Sequence, residues 1–222
     1  MIFQNVSKTY GDKEVLKIEN LELESGKIYA IVGSNGCGKS TFLKVISKQI
    51  KSDKKATIDF GGGKVCYMPQ KNYAFKMTTL KNVLIATSSS SKEDAMALLK
   101  RLKIDNLAKQ KASKLSGGET ARMALCRTIL SDADVLLLDE PTAAMDIEST
   151  KLSEELIKEY NEQKGATIII VTHSINQARR IADFVIFMKD GMIVETGEKA
   201  AVLDTPKEKD TKEFLEFFSA EV

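Results

Sequence analysis

The stretch GSNGCGKST, Gly33–Thr41, gathers glycines, a lysine and three hydroxyl residues in a run that can surround a phosphate. Gly33, Gly36 and Gly38 lack Cβ atoms, so the backbone N–H groups of this loop, with Ser34, Asn35 and Cys37 between the glycines, can converge on phosphate oxygens. A helix after the loop adds its positive end. Lys39 can then reach the β- and γ-phosphates, Ser40 can place its hydroxyl on Mg²⁺, and Thr41 supports the same turn. A second constellation narrows the reaction. In DVLLLDE, Asp134–Glu140, an apolar run delivers Asp139 with Glu140 directly behind it. Asp139 can hold Mg²⁺ while Glu140 polarises a water for in-line attack on the γ-phosphate. A third is LSGGE, Leu115–Glu119. Ser116 is an N-cap residue type, and Gly117 and Gly118 expose N–H groups at a helix start, which makes a second anion site. Either the chain folds this element back over its own loop, or two chains meet head to tail and each completes the other's site.

These groups need elements to position them. IYAIV (28–32), KVCYM (64–68), DVLLLD (134–139) and TIIIVT (167–172) are short continuous apolar runs, the pattern of strands covered on both faces. Helical stretches alternate with them. FVIFM and MIVET flank the turn KDG, Lys189–Gly191, and predict a hairpin at the far end of the sheet. The expected fold is therefore α/β.

Residues 71–114 differ: Ser88–Ser91 is a serine run, Ala95, Leu98, Leu99 and Leu102 share one helical face, and no strand signal occurs. This is read as a helical insert. It carries ten Lys/Arg against three acids, although the whole chain has a net charge of only +2, so the remainder is net acidic. A solvated basic face and a docking surface are both open readings of it. At the far end, Phe214, Leu215 and Phe218 lie on one helical face of KEKDTKEFLEFFSAEV, as packing residues.

With 222 residues, 43% of them hydrophobic, the chain can bury a substantial core. Its mild charge does not favour nucleic acid as a partner. The longest apolar runs fall far short of the roughly 20 residues that cross a bilayer, so a membrane role has to work through a partner. The N-terminal MIFQNVSKTY lacks the order of a signal peptide, and Cys37, Cys66 and Cys126 are an odd, scattered set. Three free thiols in a reducing cytoplasm are expected.

The motifs, in the order Tyr10, GSNGCGKST, Gln70, LSGGE, VLLLDEP, TAAMD and His173, resemble the ATP-binding cassette (ABC) ATPases over essentially the whole chain. The resemblance implies a P-loop NTPase core with a mixed sheet flanked by helices (1–70 and 115–222) and a small helical subdomain (71–114). It also implies a head-to-tail homodimer with two ATP molecules sandwiched between the phosphate loop of one subunit and the signature of the other. Position by position, it gives Tyr10 a stacking role on adenine and Gln70 a contact with Mg²⁺ or the attacking water. Asp146 looks like the dimer-crossing aspartate, and His173 like the histidine that touches the γ-phosphate; Glu140, His173, Gln70 and Lys39 form the implied catalytic set. Glu119 stands where the family usually has Gln, which puts a carboxylate near a triphosphate. Cys37 either fills a tolerant loop position or confers redox sensitivity.

The function implied is the ATPase subunit of a multi-chain importer at the inner face of the cell membrane. Its partners would be membrane permease subunits docking near 71–114 and an extracytoplasmic solute-binding protein. LSGGET with PQKNYAFKMT looks similar to cassettes of tungstate or molybdate importers. Amino-acid importers, and a non-transport ABC ATPase driving a mechanical or signalling membrane complex, stay open. A small-molecule kinase would have no use for LSGGE.

Overall fold

The computed structural model describes residues 1–86 and 91–219, with side chains described through residue 217. The serine run from Ser88 to Ser90 and the side chain of Phe218 lie outside the described residues. In chain order the strands are β1 (Ile2–Tyr10), β2 (Lys13–Glu22), β3 (Ile28–Val32), β4 (Thr57–Asp59), β5 (Val65–Met68), β6 (Val135–Asp139), β7 (Thr167–Val171), β8 (Phe184–Lys189) and β9 (Met192–Glu198). The helices are α1 (Lys39–Ile46), α2 (Thr79–Leu84), α3 (Lys92–Arg101), α4 (Gly117–Leu130), α5 (Ile147–Lys164), α6 (Ile175–Ile181), α7 (Lys199–Leu203) and α8 (Lys209–Ser219).

Among the described residues, a six-stranded sheet has the order β5-β6-β7-β3-β8-β9. Its neighbours are parallel except for β9, which runs antiparallel to β8. Every residue of β3, β6 and β7 is buried, which is why these strands read as unbroken apolar runs. The pleat divides their side chains between two cores. Ala30, Val32, Leu136, Leu138, Ile168 and Ile170 face one layer, with Met123 and Leu125 of α4 and with Ala95, Leu99 and Leu102 of the basic helical segment. Tyr29, Ile31, Val135, Leu137, Ile169 and Val171 face the other, against Phe42, Leu43, Val45 and Ile46 of α1.

That second layer is closed by a three-stranded sheet, order β2-β1-β4, which the apolar pattern did not disclose. Phe3, Val6, Leu16 and Ile18 turn inward from it. In β1 the alternation is broken by Asn5, at φ +54°, and by a register shift between Lys8 and Thr9. A period-2 search therefore loses count within the strand.

The helical segment starts α3 with a capping box, Ser91 accepting from the Asp94 N–H while Asp94 accepts from the Ser91 N–H. Arg101 clamps both oxygens of Glu159 on α5 at 2.8 and 2.7 Å, so this layer is tied to the sheet-covering helices as well as sharing their core.

Candidate nucleotide-binding site

The phosphate loop leaves β3 at Val32 and enters α1 at Lys39, with Gly38 at φ +106° as the N-cap. Only glycine serves at two of its positions. A Cβ on Gly33, at φ +147°, would lie 2.1 Å from the Met188 carbonyl, and one on Gly38 would lie 2.6 Å from the Val15 carbonyl. The loop is thus wedged between β8 and β2. The predicted hairpin turn supports it from below, because the Gly191 N–H donates to the Cys37 carbonyl at 2.9 Å. Lys39, almost fully buried, bridges the loop internally by donating to the Gly33 and Ser34 carbonyls at 2.7 and 2.8 Å.

β6 ends beside α1. Asp139 is 1% exposed and accepts from the Ser40 hydroxyl at 2.8 Å and from the Tyr67 phenol at 3.1 Å. Burial pushes its carboxyl above the ordinary carboxylate range, against the opposing pull of those two donors. Glu140 follows at φ +50°, a costly conformation for a side chain with a Cβ, held by its N–H on the Val171 carbonyl at 3.0 Å. The pairing of Asp139 with Val171 brings the ends of β6 and β7 level, so Glu140 and His173 meet just beyond them. His173 Nε2 lies 2.5 Å from Glu140 Oε1, and Gln70 Nε2 donates to Glu140 Oε2 at 2.9 Å.

A cavity of about 520 Å³ joins these groups, within the size range of small-molecule sites. Asn35, Gly36, Gly38, Lys39, Ser40 and Thr41 of the loop and α1 line it together with Gln70, Glu140 and His173 and with Tyr10 and Val15. Tyr10 is 54% exposed at the end of β1. Gly33 and Ser34 border a neighbouring apolar cavity of about 530 Å³ against Phe187 and Phe214. The Cys37 side chain is buried in the core beside α1, so that residue has only its backbone to offer a ligand. Burial also raises its thiol pKa, which works against the redox-sensitive reading.

The signature and Asp146 do not line this cavity. Ser116 caps α4 and is exposed, and Gly118 packs so closely that a Cβ would lie 2.8 Å from the Ala144 carbonyl. Asp146 caps α5 by accepting from the Ser149 N–H at 2.7 Å, which holds its carboxyl below the ordinary range. Glu119 turns back on its own helix, where Oε2 accepts from the Ser116 N–H at 2.7 Å. That bond lowers its pKa. Sequence reasoning missed Tyr67, whose signal is its place immediately before Met68–Pro69 on a strand paired with β6.

The donor set fits a nucleotide with Mg²⁺. Among the described residues no cluster of three His, Cys, Asp or Glu forms a metal cage. Mg²⁺ is held through one or two carboxylates, fills the rest of its shell with phosphate, water and neutral oxygen groups, and so suits the single buried carboxylate beside a hydroxyl.

The family model described as ABC transporter matches residues 16–143, from β2 through the Asp139–Glu140 pair. The chain belongs to the ABC transporter family. As an ABC ATPase it binds nucleotide and couples ATP hydrolysis to transport. It is 38% identical over 204 residues to the tungstate uptake system ATP-binding protein TupC of Peptoclostridium acidaminophilum, covering 86% of this chain and 95% of that one. It is 31% identical to the arginine transport ATP-binding protein ArtM of Bacillus subtilis, over 96% and 97% of the two chains. The dimeric structure of a bacterial ABC transporter cassette matches this ABC ATPase with a TM-score of 0.80 and 30% identity, over 90% of this chain and 99% of that one. The expected architecture, a mixed-sheet P-loop core with a helical segment, is the one found.

Proposed function

We propose that this ABC ATPase energises solute import as the ATP-hydrolysing subunit of a multi-chain transporter, working as a head-to-tail homodimer that sandwiches two ATP molecules. One observation carries the reading. The phosphate cavity is lined without Ser116–Glu119, while Ser116 and Gly117 stand exposed at the positive end of α4. Each chain thus holds two halves of different sites. A solved relative, 28% identical, is a dimer in a post-hydrolysis state bound to ADP and Pi.

In the closed dimer, Tyr10 stacks on the adenine and the loop from Gly33 to Gly38 cradles the β- and γ-phosphates. Lys39 exchanges the Gly33 and Ser34 carbonyls for phosphate oxygens. Ser40, Asp139 and Gln70 would hold Mg²⁺, which would supply neutralising charge to the phosphates. Glu140 accepts a proton from the attacking water, and His173 orients both the carboxylate and the γ-phosphate. Ser116, Gly117 and Gly118 reach the γ-phosphate from the partner protomer, and Asp146 meets the partner's phosphate loop. Hydrolysis removes the group that these contacts share, so closure is reversed.

No helix among the described residues is long and apolar enough to cross a membrane. Separate permease subunits docking near residues 71–114, with the ATPase peripheral on the cytoplasmic face and a solute-binding protein outside, complete the system. The cargo proposed is an oxyanion of the tungstate or molybdate class, supported by the 38% identity to the tungstate protein against 31% to the arginine one. The test is to purify tagged Glu140→Gln with ATP and Mg²⁺ from detergent-solubilised native membranes. A stoichiometric multi-span protein, accompanied by a solute-binding protein that binds tungstate, is expected. A clean homodimer without a membrane partner would overturn the transport reading, and a co-purified binding protein selective for amino acids would overturn the cargo.

A further inference from the structure

β5 and β6 run parallel, with Tyr67 paired to Leu137 and Met68 to Leu138. Side chains two apart share a face of a strand, so Tyr67, Leu137 and Asp139 point into the same layer, while Met68 and Leu138 point into the other. The tyrosine ring packs with that layer, where a phenylalanine would fill the same space. Its hydroxyl reaches diagonally past Leu137 to Asp139 Oδ2 at 3.1 Å, while the Ser40 hydroxyl holds Oδ1 at 2.8 Å.

The terminal torsion of an aspartate is broad and nearly two-fold, so a single donor leaves the carboxylate free to swap oxygens. Two donors on two different oxygens remove that freedom. Ser40 can go on donating to Oδ1 while its lone pairs face a cation. Rotating Oδ2 toward the cation would leave the Tyr67 phenol without its acceptor in a mostly buried position. We infer that Tyr67 is a positioning residue for the metal site: its phenol locks the Asp139 carboxylate so that Oδ1, beside Ser40, is the oxygen presented to Mg²⁺. This rests on Asp139 being the metal carboxylate proposed above. Outer partners of metal ligands characteristically act in this way, orienting a ligand they never replace.

Tyr67→Phe removes the hydroxyl and keeps the ring. The readouts are Mn²⁺ affinity of the ATP-loaded protein by electron paramagnetic resonance, ATP affinity with divalent metal chelated, and thermal melting. Mn²⁺ affinity is expected to fall about 10-fold, with metal-free ATP affinity unchanged and a correspondingly higher Mg²⁺ requirement for half-maximal ATPase rate. Against an Asp139→Asn background, Tyr67→Phe should cause no further loss of Mn²⁺ affinity. Unchanged Mn²⁺ affinity in Tyr67→Phe, while Asp139→Asn loses it, overturns the role of Tyr67 alone. Equal losses of Mn²⁺ and metal-free ATP binding also overturn it, because they report a merely structural hydroxyl. Unchanged Mn²⁺ affinity in Asp139→Asn overturns both this inference and the metal assignment beneath it.

Discussion

Glu140 is held from both sides: its Oε1 lies 2.5 Å from His173 Nε2 and its Oε2 accepts from Gln70 Nε2 at 2.9 Å. A carboxylate gripped in this way, on a backbone at φ +50°, is aimed before substrate arrives. Replacing it by an amide keeps the shape and removes the base. Glu140→Gln is therefore expected to bind ATP as the parent does and to turn over about 10²-fold or more slowly. Steady-state ATPase rates beside equilibrium nucleotide binding check this; parent-like turnover would contradict the assignment.

The Glu119 carboxylate occupies the positive end of its own helix by accepting from the Ser116 N–H at 2.7 Å. Any phosphate delivered to Ser116 by a partner protomer meets that charge. Glutamine can make the same capping bond without the charge. Glu119→Gln, in a Glu140→Gln background, should therefore dimerise at several-fold lower protein concentration with ATP, with the gap narrowing as salt rises. The folded pKa of Glu119 is lowered, so the charge persists as pH falls through the ordinary carboxylate range. The gap should thus hold from pH 8 to 5 and close only in stronger acid. Size-exclusion chromatography with light scattering measures it.

Cys37 is 4% exposed, and burial raises its thiol pKa, whereas Cys66 is only half-buried. A thiolate is the reactive form. Brief treatment of the folded protein with a maleimide at pH 7 should label Cys66 well ahead of Cys37 and leave ATPase activity intact. Peptide mass spectrometry resolves the order, and rapid inactivation prevented by Cys37→Ser would restore the redox reading.

Glu154 is a buried carboxylate that ties α5 to α6. Arg180 donates to both its oxygens at 2.7 Å, and Gln177 donates to it at 3.1 Å while donating to Thr142, just past Glu140, at 2.9 Å. Truncation strands the arginine and the amide. The Arg180 side chain is half-exposed, which softens the loss below that of a fully buried pair. Glu154→Ala is expected to destabilise the fold by about 2 kcal/mol, a melting temperature drop of roughly 4–8 °C. Calorimetry or denaturant melts of the nucleotide-free protein measure it.

By itself the sequence determined the parts of this protein whose physics is local. A glycine-rich turn between an apolar run and a helix, a carboxylate pair closing a buried strand, and a serine followed by two glycines at a helix start are all legible within a few residues. Strands covered on both faces leave unbroken apolar runs, so β3, β6 and β7 were legible too. The tertiary structure alone decided what depends on distant segments meeting. The antiparallel sheet over α1 was hidden because Asn5 breaks the alternation of β1. Whether Glu119 faces outward or caps Ser116 depends on one rotamer, and whether Cys37 faces ligand or core depends on the positive φ values of the glycines flanking it. Tyr67 meets Asp139 across 72 residues because β5 and β6 pair in one register, and a shift by one residue would turn its phenol into the opposite core.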